Sequence, residues 1–190
     1  MAEWRSAFKG QLSFGKVGTS DAIGVTLSEV TRFTLLQIAA WPETWKSVGV
    51  EVARLAGTET APGPGMTAQG GVGTLLRIEP LKWWLIRRDD RQNRISLAIE
   101  DGVVLDLSSS RTWIKLHGPS ATHLLNHFLP LNLSDTAFPV GSVASSAFHH
   151  IGITLWRDEN GFNLLLPRSF AFSLWEQLTD SAAQYGCEVI

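Results

Sequence analysis

The sequence predicts an α+β fold built as two small units, each an antiparallel sheet with helices on one face. Three observations predict it. Strand-length runs such as Thr112–Leu116 alternate apolar and polar side chains, which marks a half-buried antiparallel sheet rather than a central parallel one. Two segments begin beside a proline and then place apolar residues at helical three- and four-residue steps. The order strand, proline-led helix, loop, strand, strand occurs once in each half of the chain, as an order of elements without sequence repetition. At 190 residues the chain has room for two such units packed as one compact body, with about 70% of its unfolded surface buried. The expected division is an irregular arm over residues 1–20, a first unit over 21–101 and a second over 102–190.

The arm lacks periodicity and carries Gly10, Gly15 and Gly18. A short strand is expected between Ala22 and Val30 and another over Phe33–Ile38. Pro42 starts a helix whose stripe is Trp45, Val48, Val52 and Leu55, and Gly57 ends it. Thr60–Gly73 (TAPGPGMTAQGGVG) is a loop by composition. Strands follow at Thr74–Ile78 and Trp83–Arg87, and Ile95–Glu100 reads equally as a short helix or an edge strand. In the second half, strands are expected at Val103–Leu107 and Thr112–Leu116. A helix capped by Gly118 or Ser120 runs to Phe128. Strands at Val143–Phe148 and Ile151–Trp156 come next, and Asn160-Gly161 turns the chain back into Phe162–Leu166. A final helix runs from Ser169 to Tyr185, with Gly186 as its stop.

Composition excludes several classes. The formal net charge is -2, and the one basic cluster, Arg87–Arg94 (RRDDRQNR), alternates in sign like a solvated surface, so no nucleic-acid partner is expected. A single cysteine, Cys187, rules out an internal disulfide and a cysteine zinc site. No apolar run is long enough for a signal peptide or a membrane span, so the expected home is the cytoplasm, with no membrane contact. Charged residues make up 18%, below the usual ~25%, and there are eight tryptophans. That combination suits a chain that buries surface against a partner and equally a globular core with several tryptophans in it.

The side chains able to do chemistry read mainly as structural. The glycines of 60–73 match neither G-x-x-x-x-G-K-[ST] nor G-x-G-x-x-G, so they predict no phosphate cradle. His123 and His127 share a helix face but lack the HExxH glutamate; His149 and His150, adjacent on a strand, point apart. Asp106 sits inside an apolar strand, where a buried carboxylate needs partners. Ser108–Ser110 and Arg111 could supply them from the next turn. Ser169 stands at a strand-to-helix corner, but Pro167-Arg168-Ser169-Phe170-Ala171 is no G-x-S-x-G elbow, and the expected role of the hydroxyl is a helix cap. Arg168 opposes the helix dipole and so calls for a partner, either internal or on another chain.

Val103–Pro119 (VVLDLSSSRTWIKLHGP), Leu124–Leu133 with its NHFLPLNL, Phe138–Gly141 and Phe162–Glu176 closely resemble the gamma subunit of heterotetrameric sarcosine oxidase. The resemblance runs from about residue 33 and is strongest over Val103–Gly186. It implies two ferredoxin-like units, similar to the folate-binding domain of the glycine-cleavage T protein. It implies a complex of alpha, beta, gamma and delta chains. That complex converts sarcosine, tetrahydrofolate and O2 to glycine, methylenetetrahydrofolate and H2O2. FAD, FMN, NAD and tetrahydrofolate are then expected in the alpha and beta chains and zinc in delta. No catalytic, cofactor-binding or metal-binding residue is expected in this chain. Where the related aminomethyltransferases carry an acidic pair, the matching stretch here, Ile151-Gly152-Ile153-Thr154, has no carboxylate. Asp106-Leu107-Ser108 and Gly118 resemble what remains of that fold. The resemblance thus implies a non-catalytic subunit packing chiefly on alpha, with Trp83, Trp84, Trp113 and Trp156 as candidate contacts. Alternatively, Trp83 and Trp84 are both internal, one under each layer. The alternative function is a stand-alone folate-binding or aminomethyltransferase-like protein.

Overall fold

A computed structural model describes residues 5–18, 22–88 and 95–190. The arm's ends at 1–4 and 19–21, and Asp89–Arg94 of the sign-alternating run, lie outside the described residues. The chain divides into two units. Unit 1 takes Met1–Thr31, Ser110–Val140 and Ala144–Ile190; unit 2 takes Arg32–Ser109 with Gly141–Val143.

Unit 2 is a five-stranded antiparallel sheet with one helix. Its strands are β3 (Thr34–Ala40), β4 (Thr67–Gln69), β5 (Thr74–Glu79), β6 (Lys82–Arg87) and β7 (Gly102–Asp106), in the order β4-β5-β6-β3-β7. Helix α1 (Trp45–Ala56) lays Val48, Val52 and Ala56 on Ile38, Leu75, Trp83 and Leu85. The stripe expected at Trp45, Val48, Val52 and Leu55 is rotated slightly toward the small residues Gly49, Ala53 and Ala56, which lets the helix approach the sheet. Gly57 ends it in the left-handed region, at φ 73°.

Unit 1 is a seven-stranded sheet in the order β1-β12-β2-β8-β11-β10-β9. The strands are β1 (Gly15–Val17), β2 (Val25–Val30), β8 (Arg111–His117), β9 (Val143–Phe148), β10 (Ile151–Asp158), β11 (Gly161–Pro167) and β12 (Cys187–Val189). Helices α2 (Ala121–Asn126) and α3 (Ala171–Ala182) cover the core. Leu174, Trp175 and Leu178 of α3 are buried there with Ile114, Leu116 and Leu164. Each such side chain contributes about 1.5–3 kcal/mol by leaving water.

Three expectations differ from this arrangement. The cut at 101/102 separates β7 from its partner β3, whereas β7 belongs to unit 2. β2 belongs with the later strands, antiparallel to β8 and parallel to β12. Unit 1 is therefore a mixed sheet. The described part of the arm, residues 5–18, is structured: Phe8 is buried on the Trp175 ring at 5.1 Å, and β1 pairs with β12. Periodicity identifies strands but does not say which strands pair, and three-residue β1 and β12 are too short to show a period.

Candidate functional site

The strand-to-helix corner is a buckle for the arm. β11 ends at Pro167, and the Arg168 N–H donates to Ser110 O at 3.0 Å. The Arg168 guanidinium donates to Arg5 O at 2.6 Å. One residue further along the arm, Ser6 Oγ donates to Glu29 Oε2 at 2.6 Å and accepts from the Phe8 N–H at 2.9 Å. Burial pushes the Glu29 carboxyl above its ordinary range, against the lowering effects of Ser6 and of Arg168. Arg168 therefore finds an internal partner. Ser169 does not cap the helix: α3 starts at Ala171, after a single tight turn over Arg168–Phe170, and no side chain caps either segment. Ser169 is exposed.

The remaining candidates are spent locally. Asp106 is exposed rather than buried, and its Oδ1 accepts from the Ser108 N–H at 2.9 Å, so it clamps its own turn. The Ser108 hydroxyl accepts from the Leu35 N–H at 3.0 Å, tying that turn to β3. His127 lies at the C-terminal end of α2, with its Nε2 3.1 Å from Tyr185 Oη. Among the described residues no group of three His, Cys, Asp or Glu side chains could hold a metal ion. The glycine-rich loop spends its amides on α1. The N–H groups of Val72 and Gly73 donate to Ala56 O at 3.0 and 3.2 Å, which satisfies a helix end rather than a phosphate. At the stretch matching the acidic pair, Thr154 is buried at 3% exposure and Gly152 is open to solvent. Cys187 is buried, and burial followed by the Glu188 charge pushes its thiol up to about 11.

The four candidate tryptophans are all buried in this chain: Trp83 at 0% exposure, Trp156 at 2%, Trp84 and Trp113 at 5%. They are not the expected partner contacts. Trp83 packs under α1 with the Arg77 guanidinium over its ring at 5.0 Å, and Trp84, on the opposite face, donates to Gln37 Oε1 at 3.1 Å. Trp113 donates to Asn163 Oδ1 at 3.0 Å and lies 5.3 Å from the Trp156 ring. The exposed apolar residues lie elsewhere. On unit 2, Ile99 is 76% exposed, Leu105 50% and Val103 48%, near Trp41, whose indole donates to Ile99 O at 2.8 Å. Sequence reading missed this set. Its one signal was the missing charge at the alternate positions of GVVLD, which were expected to be half-buried.

No family model matches the chain. The gamma subunit of sarcosine oxidase from Corynebacterium sp. strain P-1 is 32% identical over 96 residues, 50% of this chain and 47% of that one. The gamma subunit from strain U-96 is 28% identical over 166 residues, 85% of this chain and 80% of that one. The chain is homologous to sarcosine oxidase gamma subunits. The match thus spans about half the length of the first gamma subunit and four-fifths of the second. The fold agrees. A chain of heterotetrameric sarcosine oxidase from Corynebacterium sp. U-96, solved with pyrrole 2-carboxylate, superposes with TM-score 0.67 at 23% identity, over 89% of this chain and 88% of that one. The glycine cleavage aminomethyltransferase T of Bartonella henselae gives TM-score 0.62 at 16% identity, over 88% of this chain and 48% of that enzyme. The two sheet-and-helix units therefore form the fold shared by the gamma subunit and the aminomethyltransferase.

Proposed function

We propose that this chain is the non-catalytic gamma subunit of a heterotetrameric sarcosine oxidase, where it packs on the alpha chain and assembles or stabilises the complex. The observation that carries the reading is the homology to gamma subunits, together with a fold match extending over nearly nine-tenths of both chains. The local geometry supports it. Asp106 and the Ser108 hydroxyl accept from backbone N–H groups of unit 2, the Arg168 guanidinium holds the arm, and the Val72 and Gly73 amides hold a helix end. In this reading FAD, FMN, NAD and tetrahydrofolate reside in the alpha and beta chains and zinc in delta. The whole complex converts sarcosine, tetrahydrofolate and O2 to glycine, methylenetetrahydrofolate and H2O2 in the cytoplasm. No helix among the described residues is long and apolar enough to cross a membrane.

The test is co-expression of the tagged chain with the reading frames that neighbour its gene, followed by affinity capture and an absorption spectrum. A yellow complex carrying flavin in larger chains supports the subunit reading. A soluble, colourless chain recovered alone, which binds tetrahydrofolate in a titration, overturns it in favour of a stand-alone folate-binding protein.

A further inference from the structure

Every sheet edge leaves backbone hydrogen-bonding groups unpaired, and natural edges are kept short, charged or covered. Among the described residues the four sheet edges are not alike. β1 and β4 have three residues each, and β1 carries Lys16. β9 reads VASSAF, with small and hydroxyl side chains in its middle. β7 reads GVVLD, with neither lysine nor proline.

Hydrogen bonds on either side set the phase of β7. The Trp41 N–H donates to Asp101 O at 3.2 Å, and the Leu107 N–H donates to Leu35 O at 2.8 Å. An antiparallel ladder alternates, so Val103 and Leu105, in phase with these two, direct their backbone groups to β3. The backbone N–H and C=O of Val104 and Asp106 then point outward from the sheet. The Val104 side chain packs against the core beneath α1, which leaves Val103 and Leu105 together on the other face. β7 thus offers outward amides beside an exposed apolar pair.

Charge narrows the occupant. Glu100 and Asp101 lead into the strand and Asp106 ends it. A second copy, parallel or antiparallel, would set these carboxylates against each other, which is destabilising. Unit 1 shows what fits such a position. Its strand after the last crossover, β12, carries another strand, β1, on its outer side. We propose that the outer edge of β7 accepts an extended strand from a different polypeptide, apolar at alternate residues and flanked by Lys or Arg, completing this sheet as β1 completes the other. The proposal rests on the subunit reading and places one contact of that assembly.

The experiment compares amide hydrogen exchange in the free full-length chain and in the captured complex. It is paired with V103K/L105K and with V50K, a control on the exposed face of α1. The expected result is exchange at Val104 and Asp106 slowed about tenfold or more in the complex. V103K/L105K then lowers recovery of the partner chains about tenfold while V50K does not. A complex with exchange at Val104 and Asp106 unchanged overturns the β7 contact and leaves the subunit reading standing. A wild-type chain that captures no partner overturns both. A homodimer that protects the same amides overturns the heterologous strand. If V103K/L105K unfolds, exchange in the wild-type complex still decides.

Discussion

The two units share an order of elements and differ in how their sheets end. In unit 1, β8, α2, β9, β10, β11, α3 and β12 succeed one another; in unit 2, β3, α1, β4, β5, β6 and β7 do. Both place the first strand beside the fourth, the fourth beside the third and the third beside the second. Their last crossovers differ. In unit 1 it is α3, which buries Leu174, Trp175 and Leu178. In unit 2 residues 95–101 form neither helix nor strand, although Ile95 and Leu97 still pack on the core beneath α1. Unit 1 has also recruited β2, inserted between β12 and β8, and β1 outside β12. The lesson is that the common element order leaves a sheet unfinished. Additional chain finishes it in unit 1, and no described strand does so in unit 2.

The sharpest way to break this comparison is to remove the anchor of the arm. Phe8→Ala should cost about 3–5 kcal/mol in urea unfolding, because Phe8 is buried against Trp175. The added exchange should appear in β1 and β12, and Cys187 should become alkylatable at pH 8, while the amides of α1 and β3 stay protected. Equal loss in both units would show that the arm does not belong to unit 1 alone. Gly118→Ala comes next. Gly118 has φ 121°, and a Cβ there would lie 2.4 Å from Gly24 O, so β2 and β8 could not keep their spacing. A loss of about 1–3 kcal/mol is expected in the same assay.

A smaller, pH-dependent effect tests the buckle. The folded-state pKa of Glu29 is raised above its ordinary value of 4.5, so its stabilising contribution is fully present below that value. It is lost as the pH rises through the raised one. Glu29→Gln removes the ionised group and keeps an acceptor for Ser6. Thermal midpoints of variant and wild type should match at pH 4, and the variant should gain relative to the wild type on going to pH 7. The opposite slope would mean that Arg168 outweighs burial. The smallest effect is expected for Ser169→Ala, within about 0.5 kcal/mol, since this exposed hydroxyl caps nothing. A loss near 1 kcal/mol would restore the cap.

Most of the element list was legible because half-buried strands alternate and amphipathic helices carry a stripe. β8, β10 and β11 fall within about two residues of expectation, and Gly57 ends α1 where expected. What was not legible depends on pairing. Nothing local in Val25–Val30 says that its neighbours are residues 111–117 and 187–189. The site readings failed for a related reason. Tryptophan abundance does not reveal which indoles face inward, and all four nominated ones do. Ser169 looked like a cap because serine so often caps, but an intervening tight turn moved the helix start past it. The resemblance, by contrast, rested on whole motifs such as VVLDLSSSRTWIKLHGP and did not depend on any single role.

The inclusion of β2 and β12 in one sheet sets a timetable for biosynthesis. Unit 2 is nearly contiguous, from Arg32 to Ser109, so its sheet can close while the rest of the chain is still being translated. Unit 1 cannot do the same. Val25–Leu27 must wait for Cys187–Val189, which follow the whole of Arg32–Ser109 and most of unit 1 in the chain. β2 thus remains without its parallel partner, and β1 without its antiparallel one, until everything between Val30 and Cys187 has been made.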